Sequence, residues 1–296
     1  MDLLQLRYFQ AIARQEHVTR AAEELHVGQP ALSRTLARLE RELGVPLFDR
    51  DGRRLRLNRF GQAFLARVDR SLGELDDARR ELVESAGLER GVVAVASETL
   101  RTVSDLLASF LRSNPGVRFR LYQSTAERML GQLQAADVDL CFASQPLEGA
   151  LLNSVVLTDE EVLLAVPAAH RLAGYERARI ADLEDEPFIT TRQGYWLRAV
   201  AERTFSKAGV RPNFTCESDE PAAIRGLISD GLGIGLLPAL ARETAGEPTV
   251  AWLHLYPTRC RRTLRLVWRR DAYLSIAARR FRDTAIDHFA TLATDH

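Results

Sequence analysis

The chain has 296 residues, enough for about two domains that each have a hydrophobic core. Its 40 Lys and Arg balance 40 Asp and Glu, so any attraction to nucleic acid or to an anionic membrane must be local. The sequence contains no long apolar run and no secretory signal, which argues against a membrane span and makes the cytoplasm the expected compartment. Cys141, Cys216 and Cys260 form no CxxC pair and no metal-ligand spacing, so we expect buried thiols and no metal site.

The first thirty residues predict two helices and a turn. The first helix is predicted from apolar residues at helical spacing, which are Leu3, Leu6, Phe9 and Ile12. Thr19 is suited to cap a short second helix that ends near His26, and Gly28 then permits a tight turn. Pro30 is tolerated in the first turn of a third helix, because its missing N–H would have no partner there.

The third predicted helix has one apolar and one basic face. Its apolar stripe consists of Leu32, Leu36, Leu39 and Leu43. Its opposite face consists of Pro30, Ser33, Arg34, Ala37, Arg38 and Arg41. A glycine-containing turn before such a helix is typical of a helix-turn-helix, but a solvated surface helix of a bundle fits this helix equally well.

The stretch after the third helix separates these two alternatives. Asp51-Gly52 is a two-residue hairpin signal between alternating apolar residues. The second strand of this hairpin carries Arg53, Arg54 and Arg56, where they can meet phosphates or a narrow minor groove. Between residues 29 and 59 eight arginines stand against four acids, although the whole chain is balanced. The pattern therefore predicts a winged helix-turn-helix.

The stretch VTRAAEELHVGQPALSRTLARLERELGVPLFDRDGRRLRL resembles the N-terminal signature of LysR-type transcriptional regulators. The resemblance implies that the third helix enters the major groove of double-stranded promoter DNA. By matching position it assigns DNA contacts to Gln29, Pro30, Ser33 and Arg34 in the helix and to Arg53 and Arg54 in the wing. To these contacts we add Thr19, Arg20 and Arg38. The family usually has serine where this chain has Gly28, and glycine offers no side-chain cap hydrogen bond.

A long helix is predicted after the wing, because residues 58–86 contain no proline. Its apolar residues follow a heptad-like spacing, interrupted by Arg79, and are Leu65, Val68, Leu72, Leu75, Leu82 and Ala86. In the LysR-type family this helix pairs two subunits. We therefore expect a dimer interface formed by Leu65, Val68, Leu72 and Leu75. The alternative is that these residues pack against the body of their own chain.

From residue 91 onward buried strands alternate with amphipathic helices. This alternation predicts a doubly wound α/β unit, in which ligands bind beyond the carboxyl ends of the strands. The family resemblance implies two lobes, hinged like a periplasmic binding protein around a small effector. The predicted domains are a winged helix-turn-helix at 1–58, a linker helix at 59–88 and an effector-binding domain at 89–296, with lobe I at about 91–161 and 267–296 and lobe II at about 162–266.

Candidate effector ligands lie at strand ends and helix starts. The hydroxyl residues there are Ser97, Thr99, Thr125, Thr190 and Thr191, and each also fits a plain helix cap. Arg198 is a candidate clamp for a carboxylate, although an ion pair with Glu202, four residues later, explains it equally well. The phrase ESDEPAAIRGLISDGLGIGLLP resembles regulators of glutamate synthase, for which a dicarboxylate signal would be natural.

The sequence lacks the motifs of an enzyme. The glycines at 231, 233 and 235 follow a helix and precede a proline, which does not fit a dinucleotide fingerprint. We predict no catalytic residue and no cofactor, and we predict a homodimeric or homotetrameric regulator that binds an interrupted inverted repeat. RNA polymerase is a further candidate partner. The alternatives are an α/β enzyme with an accessory DNA-binding module and a plain solute-binding protein.

Overall fold

The structure, a computed structural model, describes residues 1–51, 54–85, 91–242, 249–257 and 260–294. Its contacts divide the chain into two compact units, residues 1–88 with 134–137 and residues 89–133 with 138–296. Among the described residues, no helix combines the length and the hydropathy needed to cross a lipid bilayer.

The first unit combines three short helices, a hairpin and a long helix. Its elements are α1 (Leu3–Gln15), α2 (Val18–Glu24), α3 (Gln29–Leu43), β1 (Phe48–Asp51), β2 (Arg54–Leu57) and α4 (Arg59–Ser85). Strands β1 and β2 pair antiparallel, and Phe9 of α1 lies edge-on to Phe48 of β1 with ring centroids 5.7 Å apart. The buried stripe of α3 joins the same core through Leu32 and Leu39. The predicted winged helix-turn-helix is confirmed.

The turn region differs from the prediction in two details. Helix α2 begins at Val18 after His17, so Thr19 lies inside the helix and does not cap it. The left-handed residue of the turn is His26, with φ of 53°, whereas Gly28 keeps an ordinary φ of −69° as the N-cap of α3. Histidine is one of the residue types that tolerate this region, so the turn does not need the glycine.

The second unit contains two lobes that share two long strands. The shared strands are β6 (Leu152–Pro167) and β12 (Cys260–Arg269). The first lobe adds β3 (Val92–Ser97), α5 (Arg101–Ser113), β4 (Arg118–Gln123), α6 (Ala126–Gln134), β5 (Leu140–Ala143) and α9 (Ile276–Thr294). Strands β4, β3 and β5 lie parallel, and β12 extends their sheet antiparallel to β5. The rings of Phe110 of α5 and Phe281 of α9 pack in the core of this lobe, with their centroids 5.1 Å apart.

The second lobe continues from the other half of the shared strands. Its elements are β7 (Arg177–Arg179), β8 (Pro187–Thr191), α7 (Trp196–Lys207), β9 (Asn213–Ser218), α8 (Pro221–Ser229), β10 (Gly235–Pro238) and β11 (Val250–Tyr256). Strand β6 pairs antiparallel with β10 and β11, and β8 lies parallel to β9. The two-lobed α/β fold is confirmed. Strands β7 and β11 were not predicted from the sequence.

The glycine run before β10 has a structural role. Gly231 has φ of 81°, which favours glycine, at the end of α8. A Cβ atom on Gly235 would lie 2.8 Å from the carbonyl oxygen of Ile189. The run therefore lets β10 approach β8, where the N–H of Ile189 donates to the carbonyl of Ile234 at 2.8 Å. This close approach explains the glycines without a nucleotide.

Candidate DNA-binding surface and effector cleft

The outward face of α3 is exposed and basic, as predicted. Pro30, Arg34, Arg38 and Arg41 are exposed, and Ser33 and Ala37 are half-buried. The Gln29 amide donates to the Ser33 hydroxyl at 3.0 Å, and Nε of Arg34 donates to the Pro30 carbonyl at 3.2 Å. No acid pairs with Arg34 in the part of the chain that the structure describes. Its remaining guanidinium N–H groups are therefore available to a base edge or a phosphate.

Arg38 on the same face is already paired. Its Nη2 lies 3.2 Å from Oδ2 of Asp2, and its Nε lies 3.9 Å from Oε1 of Glu42. Asp2 is also the N-cap of α1, where its side chain accepts from the N–H of Gln5. A DNA phosphate has to displace Asp2 before it can pair with Arg38 in the same way.

The other predicted DNA contacts are described only in part. Thr19 and Arg20 are exposed on α2. Arg53 lies outside the described residues, and Arg54 is described by its backbone pairing with Asp51 in the hairpin. Arg56, which the same strand carries, is exposed.

Part of the apolar stripe of helix α4 packs in the core of its own domain. Val68 is 3% and Leu72 is 2% exposed in the core that contains Phe9, and Leu65 packs partly against that core. The prediction that Val68 and Leu72 form a dimer interface is therefore wrong, because packing inside one chain leaves them no surface for a partner. Leu75 and Leu82 are 49% and 71% exposed. Leu75 keeps the interface role as a prediction, and Leu82 of the same predicted stripe joins it as a candidate.

Most of the predicted effector hydroxyls have local backbone partners. The Ser97 hydroxyl donates to the carbonyl of Thr99 at 2.9 Å, and the Thr125 hydroxyl accepts from the N–H of Arg128 at 3.4 Å. The Thr191 hydroxyl accepts from the N–H of Arg198 at 3.2 Å. The buried Thr190 hydroxyl has no hydrogen-bond partner among the described residues. Three of these hydroxyls therefore stabilise the turns that carry them.

Arg198 is held inside the second lobe. Its Nε lies 2.7 Å from the carboxylate of Glu202, and its Nη1 pairs with Glu217. The guanidinium also lies over the ring of Phe214, 3.9 Å from its centroid. Two carboxylates of its own chain pair with the guanidinium, which favours the alternative of an ion pair with Glu202 over a carboxylate clamp.

A buried charged cluster that the sequence did not predict lies where the two lobes meet. Arg262, Glu98 and Glu160 are 2%, 0% and 8% exposed. Nη1 of Arg262 donates to Glu160 at 3.3 Å, and its Nε donates to the Ser144 hydroxyl at 2.8 Å. The N–H of Ser144 in turn donates to Glu98 at 2.7 Å. Burial raises the pKa of Glu98 and of Glu160 and lowers the pKa of Arg262.

Further contacts close the cleft around this cluster. The Gln145 amide donates to the carbonyl of Gly194 at 3.4 Å, and the Gln123 amide donates to the carbonyl of Asp219 at 2.6 Å. The guanidinium of Arg262 lies 4.6 Å from the ring centroid of Trp196. The buried indole N–H of Trp196 has no acceptor within the described ranges. A polar ligand could therefore find an unused donor in this cleft.

Replacing Glu98 with glutamine is expected to raise the free energy of unfolding of the effector domain at neutral pH. Because burial raises the pKa of Glu98, the folded state favours the protonated acid, and its stability falls as the pH rises above the ordinary value of 4.5. Glutamine keeps an oxygen for Ser144 without the charge. Urea unfolding can be followed by the tryptophans, Trp196, Trp252 and Trp268, which all lie in this unit. The gain should shrink as the pH falls toward 4.5, and a gain independent of pH would contradict the assignment.

The cysteines do not form a reactive site. Cys141 and Cys260 are buried, and burial raises the pKa of both thiols, which disfavours the reactive thiolate. Cys216 is half-buried on β9. In the described part of the chain, no group of His, Cys, Asp and Glu side chains could hold a metal ion.

A winged helix-turn-helix with an exposed basic helix, followed by a two-lobed α/β unit with a polar cleft, defines a ligand-responsive DNA-binding regulator. The family model described as a bacterial regulatory helix-turn-helix protein of the lysR family matches residues 3–62. The LysR substrate binding domain matches residues 86–290. The chain therefore belongs to the LysR family of transcriptional regulators, whose members are not enzymes.

Similar proteins span the whole chain. The uncharacterised HTH-type transcriptional regulator YybE of Bacillus subtilis (strain 168) is 36% identical, over 98% of this chain and 100% of that protein. The transcriptional dual regulator GltC of the same organism is 33% identical, over 99% of each chain. The structure of full-length CbnR complexed with its target DNA is 25% identical, with a TM-score of 0.61, and covers 98% of this chain and 100% of that chain.

Proposed function

We propose that this regulator binds an interrupted inverted repeat in promoter DNA as a dimer or a dimer of dimers. The observation that carries the proposal is the outward face of α3, where Arg34 is exposed and has no acidic partner among the described residues. A two-fold dimer presents two such helices, so its operator contains two related half-sites. The similar protein CbnR, which has been crystallised with its target DNA, supports this proposal. RNA polymerase remains a candidate partner at the promoter.

The exposed part of α4 supports self-association. Leu75 and Leu82 lie seven residues apart, so they share one side of the helix, and Ala78 between them is also exposed. A stripe of this kind suits a second copy of the same helix.

Replacing Leu82 with aspartate is expected to weaken this association, because the new charge would be buried without a partner. Sedimentation velocity should give a smaller oligomer for Leu82→Asp than for the parent. Leu232→Asp provides the matched control, since Leu232 is 57% exposed in the second lobe. An unchanged oligomer for Leu82→Asp would move the interface away from α4.

The proposed effector is a small molecule in the cleft, of the carboxylate class. With Arg198 occupied, we place the carboxylate at the start of α5, where helix N–H groups and the Thr99 hydroxyl offer donors. Calorimetric titration with a panel of small organic acids tests this site. Thr99→Val should weaken binding about tenfold, as for a lost hydrogen bond to a charged group, while Arg198→Ala should leave it unchanged. Binding of uncharged ligands alone would overturn the carboxylate class.

A further inference from the structure

Arg262 contacts both lobes of the effector domain. On the side of the first lobe, its Nε donates to Ser144 after β5, and its Nη2 lies 3.4 Å from the hydroxyl of Thr102 on α5. On the side of the second lobe, it lies against the ring of Trp196 at the start of α7. Arg262 itself sits on β12, one of the two strands that run through both lobes.

Glu160 extends these contacts from the other shared strand. Its Oε1 accepts from Arg262, and its Oε2 accepts from the N–H of Leu240 at 2.8 Å, just after β10 in the second lobe. Glu98 completes the network from the first lobe, because Ser144 binds both its carboxylate and Arg262. A continuous chain of hydrogen bonds thus connects the end of β3 with the end of β10.

A buried ion pair is a poor way to gain stability alone. Removing two charges from water costs about as much as their attraction returns, and well-packed apolar side chains would stabilise the fold at least as well. A charged network does, however, tolerate little change in geometry, since each donor needs its acceptor in place. The network around Arg262 therefore specifies one arrangement of the lobes.

We propose that Arg262 is a positioning residue that latches the two lobes and so sets the angle between them. The latch itself does not depend on the proposed function. Only an effect of the latch on DNA binding rests on it. When the cleft opens, Arg262 must lose contacts on one side. It loses either its hydrogen bonds to the first lobe, or its contact with Trp196 together with the link to Leu240 through Glu160. The latch therefore opposes opening, and a ligand that competes for its donors or acceptors releases it.

Hydrogen exchange of the full-length protein tests the latch without any effector. Arg262→Gln should speed exchange about tenfold in peptides covering both residues 98–102 and residues 194–198, as expected for a latch that contributes about 1.4 kcal/mol. Arg261→Gln is the matched control, because Arg261 is the next residue on the same strand but forms an exposed pair with Asp159 at 3.1 Å. The control should leave both peptides unchanged, and small-angle scattering should show a larger radius of gyration for Arg262→Gln alone.

A purely structural role would give a different result. It would lower the thermal midpoint and speed exchange throughout the domain, and it would not widen the folded molecule. If Arg262→Gln fails to fold, Glu160→Gln and Arg262→Lys test the latch instead, because they weaken it without removing every contact. Both should show the same local increase in hydrogen exchange. Unchanged exchange on either side of the cleft, or an equal effect of Arg261→Gln, would overturn the latch. If the lobes change while the operator footprint of Arg262→Gln stays that of the parent, the latch stands and lobe geometry does not control DNA binding.

Discussion

Replacing Leu72 with aspartate is expected to abolish operator binding by unfolding the N-terminal domain. Leu72 lies on α4 but belongs to the core that α1 and α3 form beneath the DNA-binding surface. Truncating such a leucine typically costs about 2–5 kcal/mol, and a buried unpaired carboxylate costs more. A loss of this size is comparable to the whole stability of a small domain.

Leu75→Asp is the control that separates loss of the core from loss of self-association. Leu75 lies three residues further along the same helix and is about half exposed. Circular dichroism should show lost helix and a missing unfolding transition for Leu72→Asp, whereas Leu75→Asp should keep the domain folded and weaken only self-association. If Leu72→Asp stays folded and merely dissociates, Leu72 belongs to a subunit interface after all.

Replacing Arg34 with alanine is expected to weaken specific operator binding by about 1–3 kcal/mol, the usual value of a side chain that reads a base edge. The fold should not change, since Arg34 is exposed and forms one hydrogen bond to its own helix. Fluorescence anisotropy with operator DNA and with random DNA measures the effect, which should be larger on the operator.

Two other arginines of α3 provide controls for this prediction. Arg41→Ala removes an exposed arginine from the last turn, away from the end of the helix that enters the groove. Arg38→Ala should cost less than Arg34→Ala, because Arg38 has to leave Asp2 before it can bind DNA. Equal losses on operator and random DNA would mean that Arg34 contacts phosphate alone.

The DNA-binding half was largely predictable because its determinants are local. The leucine stripe of α3, the hairpin signal after Phe48 and the run of arginines all lie within thirty residues, and the stripe and the two hairpin strands are present among the described residues. The turn was predictable in place but not in detail. Both His26 and Gly28 can adopt a left-handed conformation, and the sequence does not show which of them does so.

The role of α4 was ambiguous for a physical reason. A stripe at heptad spacing looks the same whether it packs on the body of its own chain or on a partner. The structure divides the stripe, with Val68 and Leu72 inside the domain and Leu75 and Leu82 outside.

The charged cluster of the cleft was not predictable from local pattern. Arg262 and Ser144 are 118 residues apart in sequence, and only the pairing of the shared strands with the first lobe brings them together. A visible hint was a run of three acids, Asp159, Glu160 and Glu161, directly before the apolar second half of β6. The sequence left two roles open for Arg198, and the contact with Glu202, four residues later, favours the local ion pair.

Footprinting of the full-length protein on the DNA upstream of its own gene tests the central claim most directly. The protein should protect two half-sites whose centres are separated by one or more helical turns of about 10 base pairs, and binding should survive an excess of random DNA. Affinity should fall steeply with salt, since arginines of α3 and the wing displace counterions. Uniform weak binding to any DNA, with no protected half-sites, would contradict the assignment of this chain as a sequence-specific regulator.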